Sequence, residues 1–154
     1  MSGRAPSACY LVPGTELWGG IKIAFEQAEQ LALRGWDVTV ASPAGPPEWY
    51  ELDVPFLTVP DFSGRRLPRA DLYVGTFFTT VPAAHDTGLG IGAHLVQGYE
   101  GHYPDLVDHR EAIEFAYSLT TVKVAISPHL AELVERRYGQ GAYLVRNGID
   151  TSRF

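Results

Sequence analysis

One stretch limits the folds open to this chain more than any other. Cys9 to Val12 is a short apolar run, and the loop after it is rich in Gly and Pro. Gly19-Gly20 then opens a helix whose apolar positions are Ile21, Ala24, Phe25, Ala28, Leu31 and Ala32. That spacing puts one buried stripe on a helix. Lys22, Glu26, Gln27, Glu29 and Gln30 fall mostly on the other side, and Gly35 follows Arg34 where a left-handed residue ends a helix. Val38 to Ala41 is apolar again. Strand, glycine loop, helix and strand within roughly 35 residues make a βαβ unit.

The rest of the chain continues the alternation. Further strands are expected at Phe56–Val59, Asp71–Thr76, Ala93–Gln97, Val122–Ile126 and Ala142–Val145. A loop and short helix are expected over 77–84. A helix is expected from Asp105 to Leu119, and another after Ser127-Pro128, a cap followed by proline, ending at Gly139. Most strands are continuous apolar runs, the pattern of a parallel sheet covered on both faces. The expected fold is α/β: a Rossmann-like, doubly wound, mainly parallel sheet of about seven strands. Residues 1–7 read as a tail and 8–146 as the domain. Ligands of such sheets bind beyond the carboxyl ends of the strands. Three loops should therefore share one edge: Gly14–Gly20, Thr76–Thr80 and Gly98–Tyr103.

Composition narrows the function. With 45% hydrophobic and 19% charged residues, 154 residues suit one globular domain with a core. The formal charge is -6 and no basic run occurs, which disfavours nucleic acid as a partner. Cys9 is the only cysteine. In a predicted central strand it reads as a small hydrophobe, and it excludes an intrachain disulfide. That fits a reducing, cytoplasmic setting. No run is long and apolar enough to span a membrane, and residues 1–7 do not form a signal peptide.

Gly19 and Gly20 have a chemical use. The first N–H groups of a helix lack intrahelical partners, and without a Cβ a phosphate or sugar can approach the main chain. The alternative is a tight turn that only lets the helix pack. The G-x-G-x-x-G spacing is absent, which disfavours an ordinary NAD site. Glu100, at a strand end, is a candidate to bind a hydroxyl or act as a base, against the alternative of a solvated loop carboxylate. Tyr99, His102 and Tyr103 are candidates for a sugar platform. His94, His102 and His109 match no zinc spacing, so no metal is expected. Thr15 and Lys22 lie near enough in sequence to reach an anion, Lys22 more plausibly facing solvent. No Gly-x-Ser-x-Gly is present.

Several segments together resemble a known family. Gly19-Gly20-Ile21 with Leu31-Ala32-Leu33-Arg34-Gly35-Trp36-Asp37-Val38-Thr39-Val40 resembles the "GG, helix, L-x-x-R-G-H-x-V-x-V" opening of GT-B glycosyltransferases of family 4. Val145-Arg146-Asn147-Gly148-Ile149-Asp150-Thr151-Ser152-Arg153-Phe154 is similar to that family's "V-x-N-G-(V/I)-D-x-x-x-F". Ser127-Pro128-His129-Leu130 is similar to its "S-x-x-L". Gln97-Gly98-Tyr99-Glu100-Gly101-His102-Tyr103 is similar to a "Q-D-Y-E-x-x-(F/Y)" loop of its bacterial polysaccharide enzymes, rhamnosyltransferases included. These segments run from the first strand to Phe154.

The resemblance implies one half of a GT-B fold: the acceptor-side half of a retaining glycosyltransferase that moves a sugar from a nucleotide sugar to a glycan or lipid-linked hydroxyl. It implies no metal or other cofactor. It makes 147–154, with Asn147 and Gly148, the start of an interdomain linker. The donor-binding C-terminal domain then lies outside this sequence, a truncated piece being expected over a naturally split enzyme. Gly19 and Gly20 match positions whose backbone approaches the donor phosphates. Thr76, Phe77, Thr79, Tyr99, Glu100 and His102 become acceptor-binding candidates, and Glu100 the catalytic candidate. The family's histidine after the fourth strand has no counterpart in Thr76-Phe77-Phe78-Thr79-Thr80. A location peripheral to the inner face of a membrane is compatible with a lipid-linked acceptor. The rival expectation is a non-catalytic α/β domain that binds a nucleotide or a partner protein.

Magnitudes favour a second lobe. Two charge-assisted bonds from glycine N–H groups give roughly 1.5–3 kcal/mol each. The helix dipole adds about 0.3–1 kcal/mol. Association entropy costs about 4–15 kcal/mol. The glycine mouth alone should hold a sugar nucleotide no better than the order of millimolar.

Overall fold

The structure, a computed structural model, describes residues 3–149 and 151–153. Seven strands form one sheet: β1 Ser7–Leu11, β2 Asp37–Ser42, β3 Phe56–Thr58, β4 Leu72–Gly75, β5 Ile91–Val96, β6 Val122–Ala125 and β7 Ala142–Leu144. Their order is β3-β2-β1-β4-β5-β6-β7, and every pairing is parallel. Among the described residues four α-helices make the other connections, β2–β3 and β3–β4 being joined without one: α1 Gly19–Leu33, α2 Val81–Asp86, α3 Arg110–Ser118 and α4 Pro128–Tyr138. This is the expected Rossmann-like architecture. Among the described residues no helix is long and apolar enough to cross a membrane.

α1 forms where the apolar stripe demands it. Ile21, Ala24, Phe25 and Ala28 are buried against Ala8, Tyr10 and Val12 of the first-strand region and Val38 and Val40 of β2. Burial of Ile21 and Phe25 contributes about 1.5–3 kcal/mol each. Gly35 ends the turn at φ 87°, and Gly139 ends α4 at φ 65°.

Both faces of the sheet carry helices, as expected, but unequally. From β4 onward each crossover moves to the next strand in the same direction, so right-handed connections place α2, α3 and α4 on one face. That face carries Cys9, Leu11 and Tyr73 against Ala84 of α2, and Val96 and Ala125 against Ile113, Ala116, Leu133 and Val134 of α3 and α4. α1, whose crossover runs the other way, and Trp49, Tyr50, Leu52 and Val54 of the segment before β3 cover the opposite face. Across β4 to β6 that face is left as a groove of about 700 Å³ floored by Leu72, Val74, Ala93, Leu95 and Val124.

Two boundaries also differ from expectation. The helix expected over 105–119 is a 3₁₀ segment, Pro104–His109, followed by α3. Of its apolar residues Leu106 is half-buried and Val107 exposed, so no stripe holds that segment against the core. The tail is not free up to residue 7. Ser7 opens β1, and Arg4 pairs with Asp71, whose carboxylate also accepts from the Ser7 N–H and hydroxyl. These bonds, the Ser7 N–H first, hold the Asp71 pKa below its ordinary value. Asn147 and Gly148 are exposed and border the groove. Asp150 and Phe154 of the same motif lie outside the described residues.

Candidate functional site

At the carboxyl edge of the sheet the three expected loops converge on a cleft of about 210 Å³. Pro13, Trp18, Gly20 and Ile21 line it from the first loop and α1. Thr76 and Phe77 come from the end of β4. Gln97, Gly98, Glu100 and Tyr103 come from the end of β5. The glycine mouth is therefore open and faces the rim shared with Thr76 and Glu100.

The mouth owes its openness to local sequence. Trp18 occupies the N-cap position with extended backbone and makes no capping bond. The N–H groups of the first turn thus lack both intrahelical and cap partners. A Cβ on Gly19 would meet nothing within 4 Å, whereas one on Gly20 would lie 3.3 Å from Gln97 Nε2. That Nε2 donates to the Gly20 carbonyl at 3.1 Å, tying α1 to β5. Gly20, not Gly19, is the close-approach position in the cleft.

The β4 loop is built by a threonine outside the candidate set. Thr80 is fully buried, and its Oγ1 accepts from the N–H groups of Thr76 and Phe77 at 2.9 and 3.1 Å. Thr76 donates its hydroxyl to the Leu11 carbonyl at 2.9 Å, so it brings a methyl group and main chain to the cleft. Phe77 forms part of the wall. Thr79 is exposed and is not among the lining residues.

The β5 loop divides its side chains between core and cleft. Tyr103 is half exposed, and a Cβ on Gly98 would lie 2.5 Å from its hydroxyl, so its ring packs onto bare main chain at the rim. Tyr99 turns inward. It is 5% exposed and its hydroxyl reaches Glu114 and Tyr138 at 3.0 and 2.9 Å. Burial raises its pKa. His102 is exposed and packs edge-on against Tyr99, away from the cleft lining. The structure therefore does not bring Thr79, Tyr99 or His102 to the cleft.

Glu100 reaches the cleft but is also engaged inside the protein. It is 6% exposed; Oε1 accepts from the Phe78 N–H at 3.2 Å, and Oε2 lies 2.6 Å from the Tyr117 hydroxyl. Burial raises its pKa. Bonds from Tyr117, its own N–H and the Phe78 N–H pull the other way and are outweighed. Tyr117 is fully buried, and burial raises its pKa far above the ordinary phenol range. Against its ring at 4.5 Å stands His94, buried, with Nδ1 unpartnered; desolvation first and Lys123 second lower its pKa to about 3.

Other candidates fall elsewhere. Thr15 donates to the Gly45 carbonyl and Lys22 pairs with Glu26 on the exposed side of α1. Cys9 is fully buried, with its thiol pushed up to about 12 by desolvation, which makes it a poor nucleophile. Among the described residues no group of three or more His, Cys, Asp or Glu is placed to hold a metal.

Trp18, Gln97 and Tyr103 belong to the cleft more fully than their place in the sequence reading implied. The signals were a large aromatic at a cap position normally held by Ser, Thr, Asp or Asn, and a polar residue ending the apolar β5 run. Chemically the cleft offers free N–H groups at a helix mouth, three aromatic rings (Trp18, Phe77, Tyr103), the Gln97 amide, and no Lys or Arg among its described lining residues. That set suits a flat-faced, hydroxyl-bearing ring with an anionic group at the α1 end. A scan against protein-family models finds no match for this chain, and a search of curated proteins finds none.

Proposed function

We propose that this chain is the acceptor-side half of a retaining glycosyltransferase. The cleft holds a hydroxyl-bearing sugar acceptor against Trp18, Phe77 and Tyr103. The phosphates of a nucleotide sugar lie at the α1 mouth, at Gly20 and Ile21, with most donor contacts supplied by a second lobe. One observation carries the reading: an uncapped helix mouth opens into the same cleft as three aromatic rings and the Gln97 amide. The order of motifs resembling family 4 supplies the reaction class. The donors at the helix mouth would take part of the diphosphate charge.

A second reading, a non-catalytic nucleotide-binding domain, draws on a different observation. The Thr76 hydroxyl and both Glu100 oxygens are engaged within the protein. The cleft therefore presents no free acid or base. Retaining transfer in which the departing phosphate takes the acceptor proton is compatible with that arrangement, so the two readings separate on turnover.

The test uses amide NMR of the chain titrated with UDP, GDP and dTDP sugars. Binding on the order of millimolar should shift the amides of Gly19, Gly20, Ile21 and Gly98. Gly20→Val should abolish those shifts, because its side chain would fill the mouth and press on Gln97. Shifts confined to other surfaces, or unchanged in Gly20→Val, overturn the phosphate site. Transfer of the sugar to a glycan acceptor, in the presence of the donor lobe, separates an enzyme half from a binding module.

A further inference from the structure

The Tyr117 hydroxyl has two partners and one proton. It stands 2.8 Å from the Gly98 carbonyl and 2.6 Å from Glu100 Oε2. A carbonyl oxygen and an ionised carboxylate are both acceptors only. With Glu100 ionised, one of the two contacts would set oxygen lone pairs against each other at hydrogen-bond distance in a buried place. A proton on Glu100 Oε2 removes the conflict. Glu100 then donates to Tyr117, Tyr117 donates to Gly98, and Oε1 still accepts from the Phe78 N–H. Each contact has its own hydrogen.

We propose that Glu100 is a neutral carboxylic acid in the resting cleft, a positioning residue that directs the Tyr117 proton onto the Gly98 carbonyl and so fixes the wall against which Tyr103 packs. It is not the group that takes a proton from a bound hydroxyl. The surroundings agree. Among the described residues Glu100 has no ion-pair partner. From α3, Tyr117 faces it, while Glu114 is bonded to Tyr99 and Arg137. From α4, Tyr138 stacks on the Tyr117 ring at 5.3 Å with its hydroxyl bonded to that of Tyr99, and Arg137 lies over the rings of Tyr99 and Tyr138. From β5 and β6, His94 packs on Tyr117 and is held neutral, and the Lys123 ammonium is bonded to Leu119 and Thr121. From the 3₁₀ segments, His109 packs on Phe78, and His102 and Tyr103 are exposed. Burial of the carboxyl acts in the same direction. The inference does not depend on the sugar-transfer reading, since it concerns the chain without ligand.

The sign of the pH dependence follows. A carboxyl whose folded pKa lies above its unfolded value contributes stability that is complete below the unfolded value, about 4.3 for Glu, and is lost as pH rises through the folded value. The test is carbon-detected NMR of the unliganded chain, following the Glu100 carboxyl carbon against pH. It should keep the shift of a neutral acid at pH values where an ordinary glutamate, half ionised at about 4.3, has already lost its proton. Glu100→Gln places an N–H donor where the acid proton stood. It should retain the melting temperature of the parent at acid pH and lack the parent's decline as pH rises. Titration of Glu100 at or below the ordinary value overturns the proposal, as does an identical pH decline in parent and variant. If Glu100→Gln does not fold, the carboxyl titration of the parent alone decides.

Discussion

α1 and α4 begin with the same backbone and opposite side-chain chemistry. Trp18 and Ser127 both sit at N-cap positions in extended conformation, at φ -120°, ψ 144° and φ -144°, ψ 154°. Ser127 Oγ accepts from the Leu130 N–H at 3.3 Å, and Pro128 removes a further donor at the start of the helix. Trp18 offers no acceptor, and Gly19-Gly20 leaves the main chain bare. α4 is closed for stability. α1 gives up about 1 kcal/mol of capping and keeps its donors free. The uncapped entrance is the one that opens into the cleft. Thr80 and His109, the N-caps of α2 and α3, also make no side-chain capping bond, so what sets α1 apart is that its bare entrance lines the cleft on which the proposed ligand site rests.

The comparison is confined to the N-termini, and the C-termini provide the control. Gly35 and Gly139 both hold positive φ. A β-branched residue is strained there, by about 1–2 kcal/mol. Gly35→Val and Gly139→Val should each lose that amount in urea denaturation. A Cβ meets nothing within 4 Å at either position, so the loss reports backbone strain alone. A large loss at one helix and none at the other would mean that the two differ at both ends, and the contrast would no longer isolate capping. The next effect is smaller and one-sided. Ser127→Ala should cost about 1 kcal/mol, because the Leu130 N–H loses its acceptor. An unchanged midpoint would show that the Ser127 cap is dispensable and that α4 is as open as α1.

Much of this arrangement could be read before the fold was seen. Prolines and glycines punctuate apolar runs of strand length, and topology then sends the three loops to one edge. The strand limits moved by one or two residues where pairing outran the apolar run: Ile91 and Gly92 join β5 because Leu72 and Tyr73 are there to receive them. The bare groove beside α1 was not legible, because the direction of a crossover is set by strand order and not by any local pattern. Within the β5 loop, residue types pointed to the right segment, but of the three rings named, Tyr99, His102 and Tyr103, the cleft is lined by Tyr103. Tyr99 folds inward because Gly101 has no Cβ, which would otherwise lie 2.5 Å from the Tyr99 ring, and Tyr103 is left at the rim. Glu100 was recognisable as important, but the Tyr117 hydroxyl that governs its proton comes from α3, seventeen residues away in sequence.

The smallest expected effect tests the comparison most directly, because it should run against the usual sign of a mutation. Trp18→Ser gives α1 the cap that α4 already has. Trp18 is 58% exposed, so little packing is lost, and its extended backbone already suits a capping serine. Stability should rise by about 0.5–1 kcal/mol. The same hydroxyl would occupy a first-turn N–H and remove an aromatic wall, so nucleotide-sugar shifts at Gly20 and Ile21 should weaken. Trp18→Phe separates the two causes: it keeps a ring, adds no acceptor, and should leave stability where it was. If Trp18→Ser instead destabilised the chain, Trp18 would be a packing residue. The open mouth of α1 would then be a by-product of that packing, and the case for an anion there would lose its physical basis.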